Sequence, residues 1–384
     1  MVLVRGKNVK EREASYIDYN LIFIVLFLIA FGLVMLYSVS SYDANLTFGD
    51  SAYYFKHQLL VSVIGLGVML VVAHIPYKLW NKLSFIAYGV SVFMVVLVSF
   101  IGTEANGAKR WIRIFGISIQ PSEIAKVGII IFLASIIYRL GPSLNNTKSF
   151  WIVFLSPAPL SFLVYTITDN LSSAIILMAI SYIMLFVATP GYARFLFIAL
   201  AIIAAGVLIV MIAVNSDSLG VNGGFRFLRI QAWLDPEAYI NSKGYQTLQA
   251  LYAIGSGGIF GKGLGQSMQK MGFVPEAQND MIFSIICEEL GLFGAMAVIL
   301  LFVLLVWRMM IIANNAPDLF GALLVVGVMA HISVQVILNI CVVTNTMPNT
   351  GITLPFISYG GSAVLFLLIE IGIVLSVGRS IGKQ

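Results

Sequence analysis

Acidic side chains recur in one apolar stretch of the sequence, close to the start of a predicted helix. Placed on a helix, Asp280, Ser284, Glu288 and Gly291 lie along one face, and Glu276 lies just before them. The helix dipole stabilises anions at this end of a helix. Stacked carboxylates are typical of a proton or cation path, whereas the structural alternative makes Asp280 an N-terminal cap and pairs the glutamates with Lys or Arg. Periodicity leaves both interpretations open.

A pair of opposite charges lies at the start of another apolar run. Glu123 and Lys126 are close enough in sequence to pair on one helix face, and Pro121 suits the first helical turn. Ionisable residues inside a membrane span are costly and usually face a partner or a cavity. The pair therefore predicts a salt bridge that orients this helix, a site in which both charges take part, or both together.

Polar residues also repeat at every fourth position in the ninth apolar run. His331, Gln335 and Asn339 form one stripe, for which interhelical hydrogen bonding is favoured over substrate contact. Glu370 stands alone in the last apolar run, and the sequence predicts only that it is paired or protonated.

The elements that must position these residues are membrane-spanning helices. Of the 384 residues, 60% are hydrophobic and 10% are charged, with a mean hydropathy of +0.98, so the composition requires a bilayer as solvent. We predict an all-α integral membrane protein with a single polytopic domain over residues 1–384. The spans are predicted at 19–39, 58–76, 83–102, 121–139, 149–167, 171–189, 194–214, 290–312, 319–343 and 361–379.

Basic residues set the predicted orientation. With a cytoplasmic N-terminus, the short inner segments hold a high density of Lys and Arg, as the positive-inside rule expects. The N-terminal tail (1–18) and the C-terminus are therefore predicted to be cytoplasmic, and 215–279 forms a large extracytoplasmic loop between helices 7 and 8. The basic residues on the inner side are Arg5, Lys7, Lys10, Arg12, Lys78, Lys82, Arg139, Lys148, Arg194, Arg308, Arg379 and Lys383.

Two predicted outer loops carry positive charge against this rule. The short loop 103–119 holds Lys109, Arg110 and Arg113. The loop 215–279 is long enough to cross regardless of charge. Its basic residues are Arg226, Arg229, Lys243, Lys262 and Lys270. Three cations in a short outer loop indicate an anionic partner at the outer face, while a net charge of +5 is too modest to indicate nucleic-acid binding.

Four groups of motifs follow one another along the chain. They are Tyr16-Ile17-Asp18-Tyr19 with Gly32–Ser40, Lys109–Ile112 with Gln120–Lys126, Gly244-Tyr245-Gln246 with Val274–Asp280 and Glu288–Gly291, and Leu354–Ser362. In this order they resemble the SEDS proteins, the FtsW/RodA type of peptidoglycan polymerase that acts in elongation, division and sporulation. The segment Gly265–Lys270 is similar to the FtsW and sporulation branch.

The resemblance implies a reaction and the residues that serve it. It implies a peptidoglycan glycosyltransferase that transfers a glycan chain from a lipid-linked donor to the free hydroxyl of lipid II at the outer membrane face, releasing undecaprenyl pyrophosphate. Asp280 matches the family's catalytic aspartate, a general base for that hydroxyl, and outer cations would stabilise the pyrophosphate. The implied substrate-binding residues are Lys109, Arg110, Trp111, Gln120, Ser122, Glu123, Lys126, Glu276, Asn279, Glu288 and Ser358.

The same resemblance implies partners, cofactors and a location. Lipid II and the polyprenyl-linked nascent glycan are the expected substrates. A class B penicillin-binding protein, which is a transpeptidase, is the expected partner, with other division or elongation proteins. A divalent cation, Mg²⁺ or Mn²⁺, is an expected helper, no metal ligand is assigned, and no organic cofactor is expected. The expected location is the bacterial cytoplasmic membrane.

The chain departs from the family pattern at two positions. It reads Thr168-Asp169 where a Pro-Asp pair is common, which leaves the role of Asp169 open. It has Met281 after Asp280 where Phe is common, a change on the scale of packing.

A lipid II flippase is the main alternative, and a scaffold for a division complex is another. A flippase would explain the helices, the intramembrane charges and the cationic loops equally well. The enzyme is favoured because the charges concentrate at the outer interface, and because repeated Gly- or Pro-broken helices in corresponding halves are not evident. A scaffold would leave the buried Asp280 without a purpose.

Overall fold

The chain folds into a bundle of long apolar helices. The computed structural model describes residues 18–105, 108–114, 117–215, 224–242 and 244–381, and among these ten helical segments are long and apolar enough to cross a membrane. The helices are α1 (Tyr19–Phe48), α2 (Tyr53–His74), α3 (Lys78–Ile101), α4 (Pro121–Leu140), α5 (Thr147–Leu155), α6 (Ala158–Ile167), α7 (Leu171–Ala188), α8 (Tyr192–Val214), α9 (Gly224–Leu234), α10 (Gly244–Gly257), α11 (Ile282–Asn314), α12 (Leu319–Val343) and α13 (Gly361–Gly378). The predicted all-α membrane fold is confirmed.

Some helix boundaries lie several residues outside the predicted spans. α1 extends to Phe48 and α2 begins at Tyr53, so the segment between the predicted spans 19–39 and 58–76 is mostly helical. α11 begins at Ile282, well before the predicted start at 290. Charged residues in its first turns lower the local hydropathy, and the structure shows that ion pairs make their burial possible.

The fifth span consists of two short helices. α5 ends at Leu155 and α6 begins at Ala158, with Pro157 between them. Proline has no N–H to donate to the helix and its ring clashes with the preceding turn. The break therefore follows from the sequence, while both halves still continue one span.

The helices differ in how far the bundle encloses them. α4, α12 and α13 bury 61%, 67% and 78% of their apolar windows, and α8 buries 11%. The first three therefore form the centre of the bundle, whereas α8 lies at its edge with its side chains directed outward. An apolar helix exposed in this way is suited to contact with lipid.

Close packing in the bundle depends on small residues at helix crossings. A Cβ atom at Gly372 of α13 would lie 2.8 Å from the Met69 carbonyl oxygen of α2. At Gly128 of α4 it would lie 2.9 Å from the Ala87 carbonyl oxygen of α3. Between helices in a bilayer, van der Waals packing of this kind supplies much of the association energy.

The segment between α3 and α4 forms a small sheet that the sequence did not predict. The strands are β1 (Thr103–Ala105), β2 (Ala108–Ile114) and β3 (Ile117–Ile119), antiparallel in the order β1-β2-β3. This sheet lies at the same end of the bundle as Asp280, which we call the Asp280 end. The predicted 215–279 loop lies there too and contains α9 and α10, of which α9 packs against α8 and α10 against α11.

Candidate functional site

Asp280 lies in the turn that leads into α11. The residue that caps the helix is Met281, whose side chain makes no capping hydrogen bond, and the Ser284 hydroxyl donates to the Met281 carbonyl at 2.7 Å. The Asp280 side chain is 8% exposed, and its buried Oδ1 has no hydrogen-bond partner among the described residues. The structure therefore does not support Asp280 as an N-terminal cap. A buried carboxylate oxygen without a hydrogen-bond partner is uncommon and marks this residue as a candidate site.

The backbone around Asp280 is held by α12 and the segment before α13. The Asn339 amide nitrogen donates to the Asp280 carbonyl at 2.8 Å and to the Ile352 carbonyl at 2.7 Å. Gly351 adjoins the carboxylate, because a Cβ atom there would lie 3.9 Å from Oδ2. One buried amide thus fixes two segments of the site relative to each other.

Burial, the largest effect, raises the pKa of Asp280 to about 7. A hydrogen bond within the residue to its own backbone and the guanidinium of Arg229 act in the opposite direction, while the Glu276 carboxylate acts in the same direction. A carboxyl with this pKa can exchange its proton near neutral pH, as a general base must.

The turn before Asp280 is an exposed, strained segment. Glu276 has a φ of +54°, which is uncommon for a residue other than glycine, and its carboxylate accepts a hydrogen bond from the Asn279 side chain. The Gln278 carbonyl accepts a hydrogen bond from the Tyr359 N–H at 2.9 Å. The structure thus brings the predicted residues Glu276 and Asn279 to the rim of the site.

A buried polar chain runs from α4 through α12 to α13. The Lys126 ammonium lies 2.7 Å from the Glu123 carboxylate and 3.1 Å from Gln335 Oε1. His331 Nε2 is 2.9 Å from the same Gln335 oxygen, and His331 Nδ1 is 2.8 Å from Glu370 Oε2. The predicted salt bridge and the predicted interhelical role of the stripe are both confirmed. Lys126 is 2% exposed, so its ammonium is bound within this row of buried polar side chains and does not face an open cavity.

The amide of Gln335 fixes the direction of these hydrogen bonds. Its Nε2 donates to the Thr353 carbonyl at 3.1 Å, so its Oε1 must accept from both Lys126 and His331 Nε2. A single further proton then lies between His331 Nδ1 and Glu370. The His331–Glu370 pair is therefore neutral as a unit, whichever partner holds the proton, and Glu370 is paired as expected.

The polar chain stops inside the bundle. Toward the opposite end, the neighbouring side chains of α12 and α13 are buried and apolar, among them Leu324, Val325, Ile371 and Val374. Within the described residues, the charged groups thus reach partway from the Asp280 end and do not continue through the bundle.

Glu288 is enclosed by the segment that follows α10. Its carboxylate is 2.7 Å from the Lys262 ammonium, accepts from the Ser267 hydroxyl, and accepts the backbone N–H groups of Met268 and Gln269 at 3.2 and 3.3 Å. The Glu288 side chain is fully buried. The structure therefore gives Glu288 a structural role in place of the predicted substrate contact.

Glu289 makes the adjacent ion pair. Its carboxylate lies 2.7 Å from the Lys270 ammonium and accepts the Ser38 hydroxyl of α1 at 2.8 Å. Lys270 also donates to the Ser38 hydroxyl oxygen at 3.0 Å. These two glutamates thus tie the segment 257–270, which we call the clamp segment, to α11 and α1.

The clamp segment also pairs with α11 through the backbone. α11 is interrupted at Gly291, whose φ of +66° and ψ of −166° lie outside the helical region. The clamp segment supplies partners for the groups that this break exposes. The hydrogen bonds run from Lys262 N to Glu288 O at 2.9 Å, Gly263 N to Glu289 O at 2.9 Å, Leu292 N to Gly258 O at 2.9 Å and Phe293 N to Ile259 O at 3.1 Å.

The sheet of β1, β2 and β3, which we call the cationic sheet, carries Lys109, Arg110 and Arg113 on β2. Two of these three side chains are exposed. Lys109 and Arg113 on β2 are exposed, and Trp111 between them is half-buried. Arg110 instead donates to the carbonyl oxygens of Thr168 at 3.0 Å and Asp169 at 2.9 Å. Arg110 therefore fastens the sheet to the α6–α7 turn, and the Asp169 carboxylate lies 3.9 Å from its guanidinium.

Three other predicted residues lie at the same end, and two of them make hydrogen bonds with the backbone. The Gln120 N–H donates to the Ser362 hydroxyl oxygen at 3.4 Å. Ser358 Oγ accepts the Leu354 N–H at 2.8 Å and so stabilises its own turn. Ser122 is buried, and its hydroxyl has no partner among the described residues.

Sequence reasoning counted Arg229 among the outer cations but did not select it as a site residue. Its electrostatic effect on Asp280 places it at the site. The positive charge of the 215–279 loop was the feature of the sequence that could have indicated this residue. The spacing of its five basic residues does not show which of them lies near Asp280.

A metal site built by the protein alone is absent from the described ranges, which contain no group of three or more His, Cys, Asp or Glu able to hold an ion. Mg²⁺ commonly binds through one or two carboxylates with substrate phosphates and water.

Comparison with known proteins identifies the family. Residues 19–382 match the FtsW/RodA/SpoVE family, described as cell cycle proteins. The chain belongs to this family. The resemblance seen in its motifs is thereby confirmed over nearly the whole sequence.

Relatives and solved structures of the FtsW/RodA/SpoVE family cover the chain almost completely. Stage V sporulation protein E of Bacillus subtilis is 37% identical over 364 residues, which is 94% of this chain and 97% of that protein. The probable peptidoglycan glycosyltransferase FtsW of Trichlorobacter lovleyi is 36% identical, over 96% of this chain and 95% of that protein. These two relatives agree with the predicted FtsW and sporulation branch.

Two solved chains share the fold. One belongs to a peptidoglycan synthase complex studied for the coordination of polymerization and crosslinking, with a TM-score of 0.78 at 24% identity, over 97% of this chain and 100% of that one. The rod shape determining protein RodA of Thermus thermophilus gives a TM-score of 0.67 at 25% identity, over 96% and 98%.

Proposed function

We propose that this chain is a peptidoglycan glycosyltransferase that polymerises lipid II into glycan strands at the outer face of the bacterial cytoplasmic membrane. The observation that carries the proposal is Asp280, a buried carboxylate just before a membrane-spanning helix, with one oxygen that has no hydrogen-bond partner among the described residues. Relatives named as peptidoglycan glycosyltransferases support the same activity. The proposed topology places both termini in the cytoplasm and the Asp280 end outside.

In the proposed reaction Asp280 acts as general base. Its carboxylate accepts the proton of the acceptor hydroxyl, and the hydroxyl oxygen forms a bond to the anomeric carbon of the donor sugar. The bond from that carbon to the diphosphate oxygen breaks, and the diphosphate leaves with the electron pair. The proton remains on Asp280, whose pKa of about 7 suits its later release to water.

Positive charge for the leaving diphosphate comes from the cationic sheet. Lys109 and Arg113 are exposed at the Asp280 end and are available to an anion. Arg110 holds the sheet in place through its bonds to the α6–α7 turn. A divalent cation, Mg²⁺ or Mn²⁺, belongs to the proposal as a further counter-ion of the diphosphate, held by phosphate oxygens and water.

A partner transpeptidase is also part of the proposal. The solved chain of similar fold comes from a peptidoglycan synthase complex, which supports a class B penicillin-binding protein as partner. Such a partner would crosslink the strands that this chain makes. Other proteins of division or elongation complexes would bind the same assembly.

The experiment that tests the proposal separates synthesis from transport. Purified protein in detergent, with the partner and a divalent cation, is given radiolabelled lipid II, and the products are resolved by size. A detergent micelle does not separate two aqueous compartments, so a flippase would give no product in this assay. Polymer from the purified protein is the expected result. Absence of polymer, together with movement of lipid II across vesicles, would replace the enzyme with a transporter.

A further inference from the structure

A small cavity lies next to Asp280, outside the groups used above. Its volume is about 50 Å³, and it is lined by Arg229, Ala232, Trp233, Gln246, Thr247 and Asn349. Since one water occupies about 30 Å³ in the liquid, this space suits a small substituent of a larger ligand.

Two chains of contacts and one electrostatic effect place the cavity near the Asp280 carboxylate. The Arg229 guanidinium lowers the pKa of Asp280, so the two charges lie within electrostatic reach. The Gln246 amide donates to the Pro275 carbonyl at 3.1 Å, in the turn that leads to Asp280. Asn349 accepts the N–H of Gly351 at 3.1 Å, and Gly351 adjoins the Asp280 carboxylate.

The cavity walls are held by hydrogen bonds between α9, α10 and the segment before α13. The Asn349 amide donates to Gln246 Oε1 at 2.8 Å, and Arg229 donates to the Asn349 carbonyl at 3.3 Å. The Trp233 indole N–H donates to the Asn345 carbonyl at 2.9 Å, and the Asn345 amide returns a bond to the Trp233 carbonyl at 3.3 Å. The polar groups are therefore oriented before a ligand arrives, which lowers the entropic cost of binding.

The lining holds one cation, Arg229, which donates to the Asn349 carbonyl and lies within electrostatic reach of Asp280, and its other groups are uncharged. Because the Arg229 charge is offset in this way, the lining favours an uncharged, amide-bearing ligand. Two carboxamides and a hydroxyl offer donors and acceptors, while the indole and the Ala232 methyl offer apolar contact. The Asp280 and Glu276 carboxylates lie close by and disfavour a multiply charged anion. An acetamido group on a sugar combines an amide with a methyl group and matches both parts of the lining.

We propose that this cavity is the subsite for the acceptor sugar and receives its acetamido substituent. The assignment rests on the proposed glycosyltransferase activity and deepens it. With that substituent in the cavity, the sugar ring lies beside Asp280, and the glycan-accepting hydroxyl on the far side of the same ring can approach the carboxylate.

The test is a substitution that removes one hydrogen-bonding group without changing shape. Thr247→Val replaces a buried hydroxyl with a methyl group, and Thr189→Val is the matched control, because Thr189 is equally buried at the end of α7 and bonds only the Leu185 carbonyl among the described residues. Initial rates are measured at fixed concentration of a preformed lipid-linked glycan donor, with lipid II as acceptor. Loss of one hydrogen bond predicts a KM for acceptor raised about tenfold, with kcat changed less than about twofold.

A second acceptor makes the readout specific for the substituent. Lipid II whose acceptor sugar carries a hydroxyl in place of the acetamido group is compared with lipid II itself. We expect wild type to discriminate against it about tenfold or more, and Thr247→Val to discriminate much less, because both changes remove the same contact. Thr189→Val should behave as wild type in both assays.

The outcomes separate this assignment from the proposed function. If wild type polymerises lipid II but Thr247→Val keeps its KM and its discrimination, the subsite is overturned and the glycosyltransferase stands. Competition by inorganic pyrophosphate that Thr247→Val weakens, with unchanged acceptor discrimination, would make the cavity an anion site and also overturn the assignment. A wild type without polymerase activity would overturn both proposals.

Discussion

Asp280 combines a buried carboxylate with an unused hydrogen-bonding position. The sequence motif around Asp280 identified the residue. It did not reveal the residues that contact Asp280 in the fold, because they come from distant parts of the chain. Asn339 of α12 holds its carbonyl, and Arg229 of α9 and Glu276 act on its charge. Of the two interpretations of the stripe, the one that pairs the glutamates with basic residues is confirmed, since Glu288 pairs with Lys262 and Glu289 with Lys270.

The raised pKa of Asp280 predicts a pH dependence of polymerisation. A base with a pKa of about 7 is mostly protonated at pH 6, so the rate should rise with pH and level off above pH 8. Glu276→Gln should move the midpoint down, because the Glu276 charge raises the pKa of Asp280. Initial rates between about pH 5.5 and 9 check both expectations. A profile that is flat over this range, or a midpoint unmoved by Glu276→Gln, would contradict the assigned role.

The same shift has a consequence for stability with the opposite trend. The pKa of Asp280 is higher in the folded state than the ordinary value of 3.8, so the folded state holds its proton more tightly. That contribution to stability is fully present below pH 3.8 and is lost as the pH rises through about 7. Activity and this part of stability therefore change in opposite directions.

His331 and Glu370 show what a stripe in the sequence can and cannot reveal. The spacing of His331, Gln335 and Asn339 predicted interhelical hydrogen bonds, and they are present. The proton shared with Glu370 follows only from the Gln335 amide, whose direction is set by the Thr353 carbonyl. Sequence distance hides that contact, because Glu370 and His331 lie on different helices.

At the scale of elements, the clamp segment explains how α11 buries two adjacent glutamates near its start. Their ion pairs with Lys262 and Lys270 offset a burial that would otherwise be too costly. Gly261 makes the close approach possible, since a Cβ atom there would lie 2.2 Å from the Glu289 carbonyl oxygen. The sequence around Gly261 is rich in glycine, but it does not show that Gly261 lies against Glu289.

Gly261→Ala should therefore loosen the clamp segment from α11. The control is Gly265→Ala, because Gly265 has nearly the same φ, +81° against +78°, and open space where a Cβ would be. Backbone strain is thus matched, and only Gly261→Ala adds the steric overlap, worth about 1–3 kcal/mol. We expect a clearly lower thermal unfolding midpoint in detergent for Gly261→Ala than for Gly265→Ala. Equal midpoints would show that the close approach contributes nothing to stability.

At the scale of the whole molecule, hydropathy was sufficient for the number and order of the spans. Long apolar runs have few alternatives in a bilayer, because each backbone polar group must be satisfied within its own helix. Hydropathy did not predict the sheet between α3 and α4, because it lies between two spans, where backbone polar groups can also bond to water. The early start of α11 escaped notice because its charges are neutralised by residues that are distant in sequence.

The proposed topology makes a prediction for labelling in intact cells. Met268 lies in the clamp segment and is 59% exposed, and Asn315 is exposed in the turn between α11 and α12 at the opposite end. In a background without Cys287 and Cys341, Met268→Cys should react with a membrane-impermeant maleimide from outside. Asn315→Cys should react only after the membrane is permeabilised. The reverse pattern would invert the topology.

The central claim is that Asp280 performs the chemistry of glycan polymerisation. The most direct measurement compares polymer made from lipid II by wild type, Asp280→Asn and Asp43→Asn, each purified with the partner transpeptidase. Asp43 is the control because it is another carboxylate near the same end, bonded to the Tyr54 hydroxyl at 3.2 Å. We predict a loss of at least about 100-fold for Asp280→Asn alone, with folding and partner binding retained. Polymer from folded Asp280→Asn within a few-fold of wild type would contradict the claim.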